Sequence, residues 1–290
     1  MKIRPRRSVL FMPGSNARAL EKARTLPADA VVFDLEDAVA PEAKADARRQ
    51  VSETLIRGGY APREVIVRVN DLNTSWGADD LAALAPLEFD GILLPKVDSA
   101  EQVRAAVDVL DSSGGSRHAL WIMIETPAGV LRASEIAAAS KRLTCIVMGT
   151  SDLSKDMRVP TENERLGLAT PLSWCVTVAR AFGLDILDGV QLDLRNEAAY
   201  REVCLQGRRL GFDGKTLIHP SQITTANEIF APAAEDVNTA REILDAWDRA
   251  RSEGQGITVV RGRLVETLHV EEAQRTLALM EAIRELGEAS

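Results

Sequence analysis

Cysteine and histidine are scarce in this chain, which limits the metal and redox chemistry that it can support. Among 290 residues there are three cysteines and three histidines. Cys145, Cys175 and Cys204 are odd in number and lie scattered in apolar or helical stretches. They predict buried thiols in a reducing compartment and no disulfide framework. Their spacing is also unlike that of a zinc site.

Long apolar runs and an excess of positive charge are also missing. No stretch approaches the roughly 20 apolar residues of a membrane-spanning helix, and the apolar run at 9–12 is too short for a signal-peptide core. We therefore expect a cytoplasmic protein with no membrane partner. Asp and Glu outnumber Lys and Arg by 43 to 35, a balance that repels nucleic acid. Local arginines and lysines can still hold one anionic ligand.

Short apolar runs alternate regularly with longer amphipathic segments. Eight runs have the length of buried strands, at 9–12, 30–35, 65–69, 91–94, 120–124, 145–148, 189–192 and 216–218. Helix-like segments follow them, at 16–25, 41–56, 79–84, 99–110, 128–139, 172–182, 197–210 and 220–230. Eight βα units in sequence predict an α/β fold, the TIM (β/α)8 barrel, over residues 1–230.

The pattern changes after residue 230. A strongly amphipathic helix, a glycine-containing break at 254–256, a short hairpin at 257–265 and a final helix with one apolar stripe complete the chain. These features predict a C-terminal helical extension over residues 231–290. We expect it to pack on its own barrel or on a neighbouring one.

Polar residues collect where the predicted strands end. They are Glu36 and Asp37 after the second strand, Arg68 and Asn70 after the third, Lys96 after the fourth, Glu125 after the fifth, Ser151 and Asp152 after the sixth, and Asp193 near the seventh. Functional groups of a parallel barrel lie at the carboxyl ends of its strands. Together these residues predict one shared site.

Glu125 and Asp152 follow adjacent strands, so their carboxylates can converge. Two hard oxygen ligands with water completing the shell suit Mg²⁺. The histidines are dispersed, at His118, His219 and His269, and do not favour zinc. The alternative is that both carboxylates pair with lysine or arginine. We predict that Glu125 and Asp152 bind Mg²⁺.

Several short motifs resemble the citrate lyase beta subunit and malyl-CoA lyase family. They occur in order at 7–15, 34–39 (Asp-Leu-Glu-Asp-Ala-Val), 68–70, 95–96, 125–126, 149–153 (Gly-Thr-Ser-Asp-Leu), 211–215 and 218–220. The resemblance covers residues 6–270. It implies a TIM barrel, Mg²⁺ on Glu125 and Asp152, Arg68 at a thioester, and a homo-oligomer, either a trimer or a hexamer.

The resemblance also implies an activity. We expect a Mg²⁺-dependent carbon–carbon lyase of the retro-Claisen or aldol type, acting on a 3-hydroxy-dicarboxylic acyl thioester such as malyl-CoA, citramalyl-CoA or a citryl-thioester. The carrier can be coenzyme A or an acyl-carrier protein. The alternatives are a malyl-CoA-type thioesterase, a malate-synthase-like condensing enzyme, a CoA-independent pyruvate aldolase and a non-catalytic binding subunit.

Individual residues are assigned roles from this chemistry. Arg68 faces the thioester oxygen, where negative charge develops in the transition state. Asp37 is expected to be catalytic and Glu36 to bind substrate, and either can orient the guanidinium. Arg18, near a helix N-terminus, suits a phosphate of coenzyme A. A structural ion pair is favoured for Lys96 over a Schiff base. Substrate contacts are also expected from the residues before Asp152, namely Gly149, Thr150 and Ser151.

One stretch departs from the family pattern. Members usually carry Gly-Lys-Met-Ile-Asp-x-Pro, whereas residues 262–268 read Gly-Arg-Leu-Val-Glu-Thr-Leu. Glu266 stands where the aspartate is usual, and Leu268 replaces the proline. The resemblance implies that this acidic residue serves as acid or base and reaches the site from a neighbouring chain. The change to glutamate therefore bears directly on whether the usual lyase activity is retained.

Overall fold

The computed structural model describes residues 3–160 and 165–288. The chain divides into two compact units. One unit is Arg6–Phe230, and the other comprises residues 3–5 and 231–288. None of the described helices has the length and apolar character needed to cross a membrane.

The larger unit is a closed barrel of eight parallel strands, in which each strand pairs with the next and the eighth pairs with the first. The predicted TIM barrel is therefore confirmed. The strands are β1 (Ser8–Pro13), β2 (Ala30–Asp34), β3 (Glu64–Arg68), β4 (Gly91–Leu94), β5 (Ala119–Ile124), β6 (Leu143–Met148), β7 (Asp185–Asp188) and β8 (Gly214–Leu217).

Helices follow the strands, in the alternation expected of βα units. They are α1 (Ala17–Lys22), α2 (Lys44–Arg57), α3 (Gly77–Leu84), α4 (Ala100–Ser112), α5 (Pro127–Leu131), α6 (Ala133–Ala137), α7 (Thr150–Met157), α8 (Ala169–Ala181), α9 (Glu197–Leu210) and α10 (Ile223–Phe230). Local sequence explains how α4 begins. Ser99 and Gln102 form a capping box, in which each side chain accepts a bond from the other's backbone N–H.

Strand side chains alternate between the barrel interior and the surrounding helices. Val32, Ile66 and Trp121 belong to the interior cluster, and neighbours such as Val31 and Ile122 belong to the outer one. Side chains of a strand alternate with a period of two, so residues two positions apart share a face. On three strands, the residues that face the interior are followed on the same face by a polar residue. At the carboxyl ends of β2 and β3 and just beyond β5, these are Asp34, Arg68 and Glu125.

The prediction of strand seven at 189–192 is wrong. The strand is β7, which ends at Asp188. Asp188 is fully buried and pairs with Arg165 at 2.7 Å and with Lys215 of β8 at 2.9 Å. These paired charges interrupt the apolar runs of both strands. The hydropathy pattern therefore placed the seventh strand after its true position and detected only the carboxyl end of β8. Helix α7 was not predicted, and the expected helix at 128–139 is divided into α5 and α6 at Arg132.

The amino-terminal end of the barrel is closed by an ionic cluster. The guanidinium of Arg6 makes two bonds to Glu64, at 2.7 and 2.8 Å, and one to Asp185 at 2.7 Å. Its central carbon lies 4.7 Å from the ring centroid of Trp121, an interior residue that is fully buried. Buried side chains therefore fill the barrel interior at its amino-terminal end.

The second unit contains α11 (Ala234–Ser252), an antiparallel hairpin of β9 (Thr258–Val260) and β10 (Arg263–Val265), and α12 (Thr267–Glu288). The hairpin turn includes Arg261, whose guanidinium forks onto Glu242 of α11 at 2.7 and 2.8 Å. This exposed pair links the hairpin turn to α11. Packing of this unit on its own or a neighbouring barrel remains a prediction.

Candidate active site

Arg68, the last residue of β3, is the centre of a buried ionic cluster. Its Nε and Nη2 donate to the two oxygens of Asp34 at 2.7 and 2.6 Å. Its Nη1 lies 2.8 Å from Glu36 and 3.4 Å from Asp37. All three guanidinium nitrogens therefore contact carboxylates, and the plane of the side chain is fixed.

The same contacts keep Arg68 charged inside the protein. Burial opposes the charge, but Asp34, Glu36 and Asp37 outweigh it and hold the pKa of Arg68 above its ordinary value. The guanidinium carbon also lies 5.0 Å from the ring centroid of Phe11. Arg68 is therefore a fixed, permanent cation in a partly apolar setting, which strengthens its attraction for a nearby anion.

Asp34 is a central residue that the sequence analysis did not single out. Besides Arg68 it accepts hydrogen bonds from the backbone of Glu36 at 2.9 Å and of Ala38 at 3.2 Å. The turn after β2 thus folds around the Asp34 carboxylate. A usable signal was present, because Ala30 and Val32 face the interior and a period of two places Asp34 on the same face.

Glu36 and Asp37 meet a second cation at Lys96. The Lys96 amine contacts Glu36 and lies 3.5 Å from Asp37, so the structural ion pair expected for Lys96 is present. Burial raises the pKa of Glu36 although Arg68 opposes the change. Burial likewise opposes ionisation of Asp37, but its bond to Glu36 and the charge of Arg68 dominate and lower its pKa. Asp37 is therefore ionised at neutral pH.

Glu125, which follows β5, lies 2% exposed beside this cluster. Its Oε1 accepts a hydrogen bond from the backbone N–H of Lys96 at 2.7 Å. Burial raises the pKa of Glu125 to about 7, with Glu36 and Asp152 adding to the rise and the Lys96 N–H and Arg68 opposing it. A buried carboxylate with such a pKa is one whose charged form a cation would stabilise.

Gly149 allows the close approach of Glu125 to the start of α7. A Cβ at position 149 would lie 2.3 Å from Cβ and 2.4 Å from Oε2 of Glu125. Asp152 lies in the first turn of α7. Thr150 is buried against Gly189, whose own Cβ would meet Thr150 Oγ1 at 2.2 Å, whereas Ser151 is exposed. Asp152 lies close enough to Glu125 for its charge to add to the rise that burial causes in the pKa of that carboxyl.

The donor set fits Mg²⁺ better than a transition metal. Among residues 3–160 and 165–288, no group of three or more His, Cys, Asp or Glu side chains could hold a metal ion. A cation here would have the two carboxylates of Glu125 and Asp152 and would complete its shell with water or substrate oxygens. Magnesium is commonly bound through one or two carboxylates in this manner.

Arg18 and Glu266, two of the expected site residues, are both exposed. Arg18 is exposed on the six-residue helix α1. Glu266 is exposed in the second unit, between β10 and α12, and its backbone N–H donates to His269 Nδ1 at 3.1 Å. The roles expected for Arg18 and Glu266 remain predictions.

Known proteins resemble this chain over nearly its whole length. It is 48% identical to the (3S)-malyl-CoA thioesterase of Cereibacter sphaeroides (strain ATCC 17025 / ATH 2.4.3), covering 98% of this chain and 97% of the relative. It is 36% identical to the citrate lyase subunit beta of Escherichia coli (strain K12), covering 97% and 95% of the two chains.

A solved structure agrees with these relatives. The protein CitE from Mycobacterium tuberculosis, in complex with magnesium, acetoacetate and coenzyme A, superimposes with a TM-score of 0.75. The two sequences are 28% identical, and the match covers 98% of this chain and 99% of that one. Residues 7–220 match the HpcH/HpaI aldolase/citrate lyase family pattern. With its closed eight-stranded barrel and its carboxylate–arginine cluster, the chain belongs to the HpcH/HpaI aldolase/citrate lyase family.

Proposed function

We propose that the chain is a Mg²⁺-dependent enzyme that hydrolyses a 3-hydroxy-dicarboxylic acyl thioester of the malyl-CoA type. The sequence alone favoured carbon–carbon cleavage and kept hydrolysis as an alternative. Hydrolysis now comes first because the relative with 48% identity is named a malyl-CoA thioesterase. Coenzyme A is the proposed carrier, since that relative's name includes it and CitE was solved with it.

The observation that carries the proposal is the adjacency of a fixed cation and a cation-binding carboxylate. Arg68 lies near enough to Glu125 for its charge to oppose the rise in the Glu125 pKa. A substrate with an oxyacid end and a thioester end matches this arrangement. Mg²⁺ on Glu125 and Asp152 would act as a Lewis acid toward the hydroxyl and carboxylate oxygens of such a substrate.

We assign Arg68 to the thioester oxygen. Negative charge grows on that oxygen when water adds to the thioester carbon, and a fixed guanidinium stabilises it without reorganisation. Of the carboxylate contacts to Arg68, that of Nη1 to Asp37 is the longest, at 3.4 Å, and Asp37 is 58% exposed. A substrate oxygen can replace this contact while the bidentate bonds to Asp34 keep the guanidinium in position.

Proton transfer requires a different carboxylate. Asp37 is a weak base because its pKa is lowered, so we assign it to orienting Arg68. Glu266 is an exposed carboxylate, open to solvent water. We therefore propose that Glu266, from its own or a neighbouring chain, takes the proton from the attacking water.

Carbon–carbon cleavage is the second candidate, supported by the 36% identity to a citrate lyase subunit beta over nearly the whole chain. Both reactions place negative charge on the thioester oxygen, so Arg68 serves either. They differ in the proton that is removed. Hydrolysis deprotonates water at the thioester carbon, whereas cleavage deprotonates the 3-hydroxyl and releases an enolate.

The two reactions are separated by their products. Malyl-, methylmalyl-, citramalyl- and citryl-thioesters should be incubated with enzyme and Mg²⁺, with free thiol and 2-oxo acid measured in parallel. We expect free thiol and intact malate from malyl-CoA. Glyoxylate with acetyl-CoA would identify a lyase, and formation of malate and free thiol from those two compounds would identify a malate-synthase-like condensing enzyme. No turnover of any substrate would indicate a binding subunit. Glu125→Gln and excess chelator are the controls.

A further inference from the structure

Lys96, directly after β4, has a backbone conformation that lysine rarely adopts. Its φ is +52°, in the left-handed region. Residues with a Cβ avoid this region because Cβ crowds the following carbonyl oxygen. Such a conformation persists only where the surrounding structure imposes it, and it is concentrated at functional sites.

Hydrogen bonds hold the Lys96 backbone on both sides. Its N–H donates to Glu125 Oε1 at 2.7 Å, and its carbonyl accepts from Gln102 Nε2 at 3.4 Å. Gln102 is itself fixed, because its Oε1 accepts from the backbone of Asp98 at 2.7 Å and of Ser99 at 3.0 Å. The capping box of α4 therefore also determines how the Lys96 peptide faces Glu125.

The conformation at Lys96 sends its N–H and its side chain to different carboxylates. The N–H engages Oε1 of Glu125, while Oε2 of the same carboxylate lies over Gly149, within 2.4 Å of where a Cβ would be. Oε2 is thus directed toward the start of α7, the helix that carries Asp152. Meanwhile the Lys96 ammonium contacts Glu36, whose other oxygen lies 2.8 Å from Arg68.

We propose that Lys96 is a positioning residue with two separable functions. Its left-handed N–H fixes the Glu125 carboxylate for a divalent cation, and its ammonium fixes Glu36 beside Arg68. This proposal deepens the proposed function and rests on it, since it takes Glu125 as a cation ligand. The Lys96 amine contacts Glu36 and lies 3.5 Å from Asp37, and these ion pairs assign it to positioning and not to nucleophilic attack.

A matched pair of variants separates the backbone function from the side-chain function. Lys96→Gly and Lys96→Val both remove the ammonium, but glycine accepts a positive φ freely and a β-branched residue does not. Binding of Mn²⁺ alone, without substrate, should be measured by electron paramagnetic resonance of the free ion. We expect Lys96→Gly to bind within about threefold of wild type and Lys96→Val to bind at least about tenfold more weakly.

Turnover at saturating Mg²⁺ tests the ammonium. Lys96→Gly should lose at least about tenfold in kcat despite its near-normal metal affinity, because a loosened Glu36 lets the Arg68 guanidinium shift. Lys96→Arg should recover part of that loss, since it retains a cation. A purely structural role would instead lower the melting temperature of Lys96→Gly and leave its kcat unchanged.

Equal Mn²⁺ affinities for Lys96→Gly and Lys96→Val would overturn the backbone function, and a wild-type kcat in Lys96→Gly would overturn the ammonium function. If Lys96→Val does not fold, Lys96→Asn and Lys96→Ala give the same comparison, because asparagine tolerates a left-handed backbone better than alanine. A wild-type protein that binds no Mn²⁺ would overturn the proposed function too. Normal Mn²⁺ binding by wild type, together with equal Mn²⁺ affinities for the two variants, would overturn only the role of Lys96.

Discussion

Replacing Gly149 with alanine tests how closely the Glu125 carboxylate must be held. The added Cβ would lie 2.3 Å from Cβ of Glu125 and 2.4 Å from its Oε2. Carbon atoms in contact normally stay about 3.5 to 4.0 Å apart, so Glu125 or the start of α7 must move by about 1 Å or more. Either movement separates Glu125 from Asp152 or breaks its bond to the Lys96 N–H.

The expected loss follows from that displacement. A misplacement of about 1 Å costs roughly 100-fold in a positioned reaction, which corresponds to about 2.7 kcal/mol of transition-state stabilisation. Overpacking also costs about 1 to 3 kcal/mol of stability, at roughly 2 to 4 °C in melting temperature per kcal/mol for a domain of this size. Gly149→Ala should therefore be folded, less stable and nearly inactive.

Thiol release from malyl-CoA gives kcat/KM, and Mn²⁺ titration gives the metal affinity. The control is Gly287→Ala in α12, where a Cβ would meet no atom within 4 Å, so its kinetics should equal those of wild type. A Gly149→Ala protein with wild-type kcat/KM and metal affinity would refute the reasoning, since Glu125 would then tolerate a displacement of this size.

Further predictions concern Glu125, Arg68 and Glu266. Because burial raises the pKa of Glu125 to about 7 and a cation binds only its charged form, Mg²⁺ should raise the melting temperature less at pH 6 than at pH 8. Without metal, the folded protein favours the protonated form of Glu125, so its stability should fall as pH rises through about 7. Glu125→Gln should abolish both effects. Arg68→Lys should lower kcat at least about 100-fold, since an ammonium cannot reproduce the fork to Asp34, and a change confined to KM would assign Arg68 to binding alone. Glu266→Gln should cut activity about 100-fold or more. Mixed oligomers of Glu266→Gln and Glu125→Gln subunits should regain activity if Glu266 acts across a subunit boundary. If verified mixed oligomers remain inactive, action across the boundary is excluded.

Most barrel strands could be predicted because a strand buried on both faces is a short, continuous apolar run. The seventh could not. Asp185 and Asp188 bound a run of only Ile186 and Leu187, and hydropathy treats both aspartates as exposed. It cannot register that Asp188 is neutralised by Lys215. Helix α7 escaped prediction for a related reason, since its first turn, from Thr150, is polar and shows little apolar periodicity.

The candidate site was partly predictable for a topological reason. Residues after parallel strands share one end of a barrel, so Arg68, Glu36 and Glu125 could be expected near one another. The contacts that fix them were harder to foresee. Asp34 was taken as part of the strand at 30–35, and the contact of Lys96 with Glu125 is made by a backbone N–H at an unusual φ. Backbone geometry of that kind leaves little trace in residue type.

The ionic cluster of Arg6, Glu64 and Asp185 also limits how small molecules can enter and leave the barrel. Arg6, Glu64 and the interior side chains above them are buried, so the described part of the barrel offers no passage between its two ends. In the proposed reaction, substrate, water and both products would then share the mouth at the carboxyl ends of the strands. Both products of the proposed reaction would have to leave before the next substrate enters, and the product released last would compete with substrate for the free enzyme.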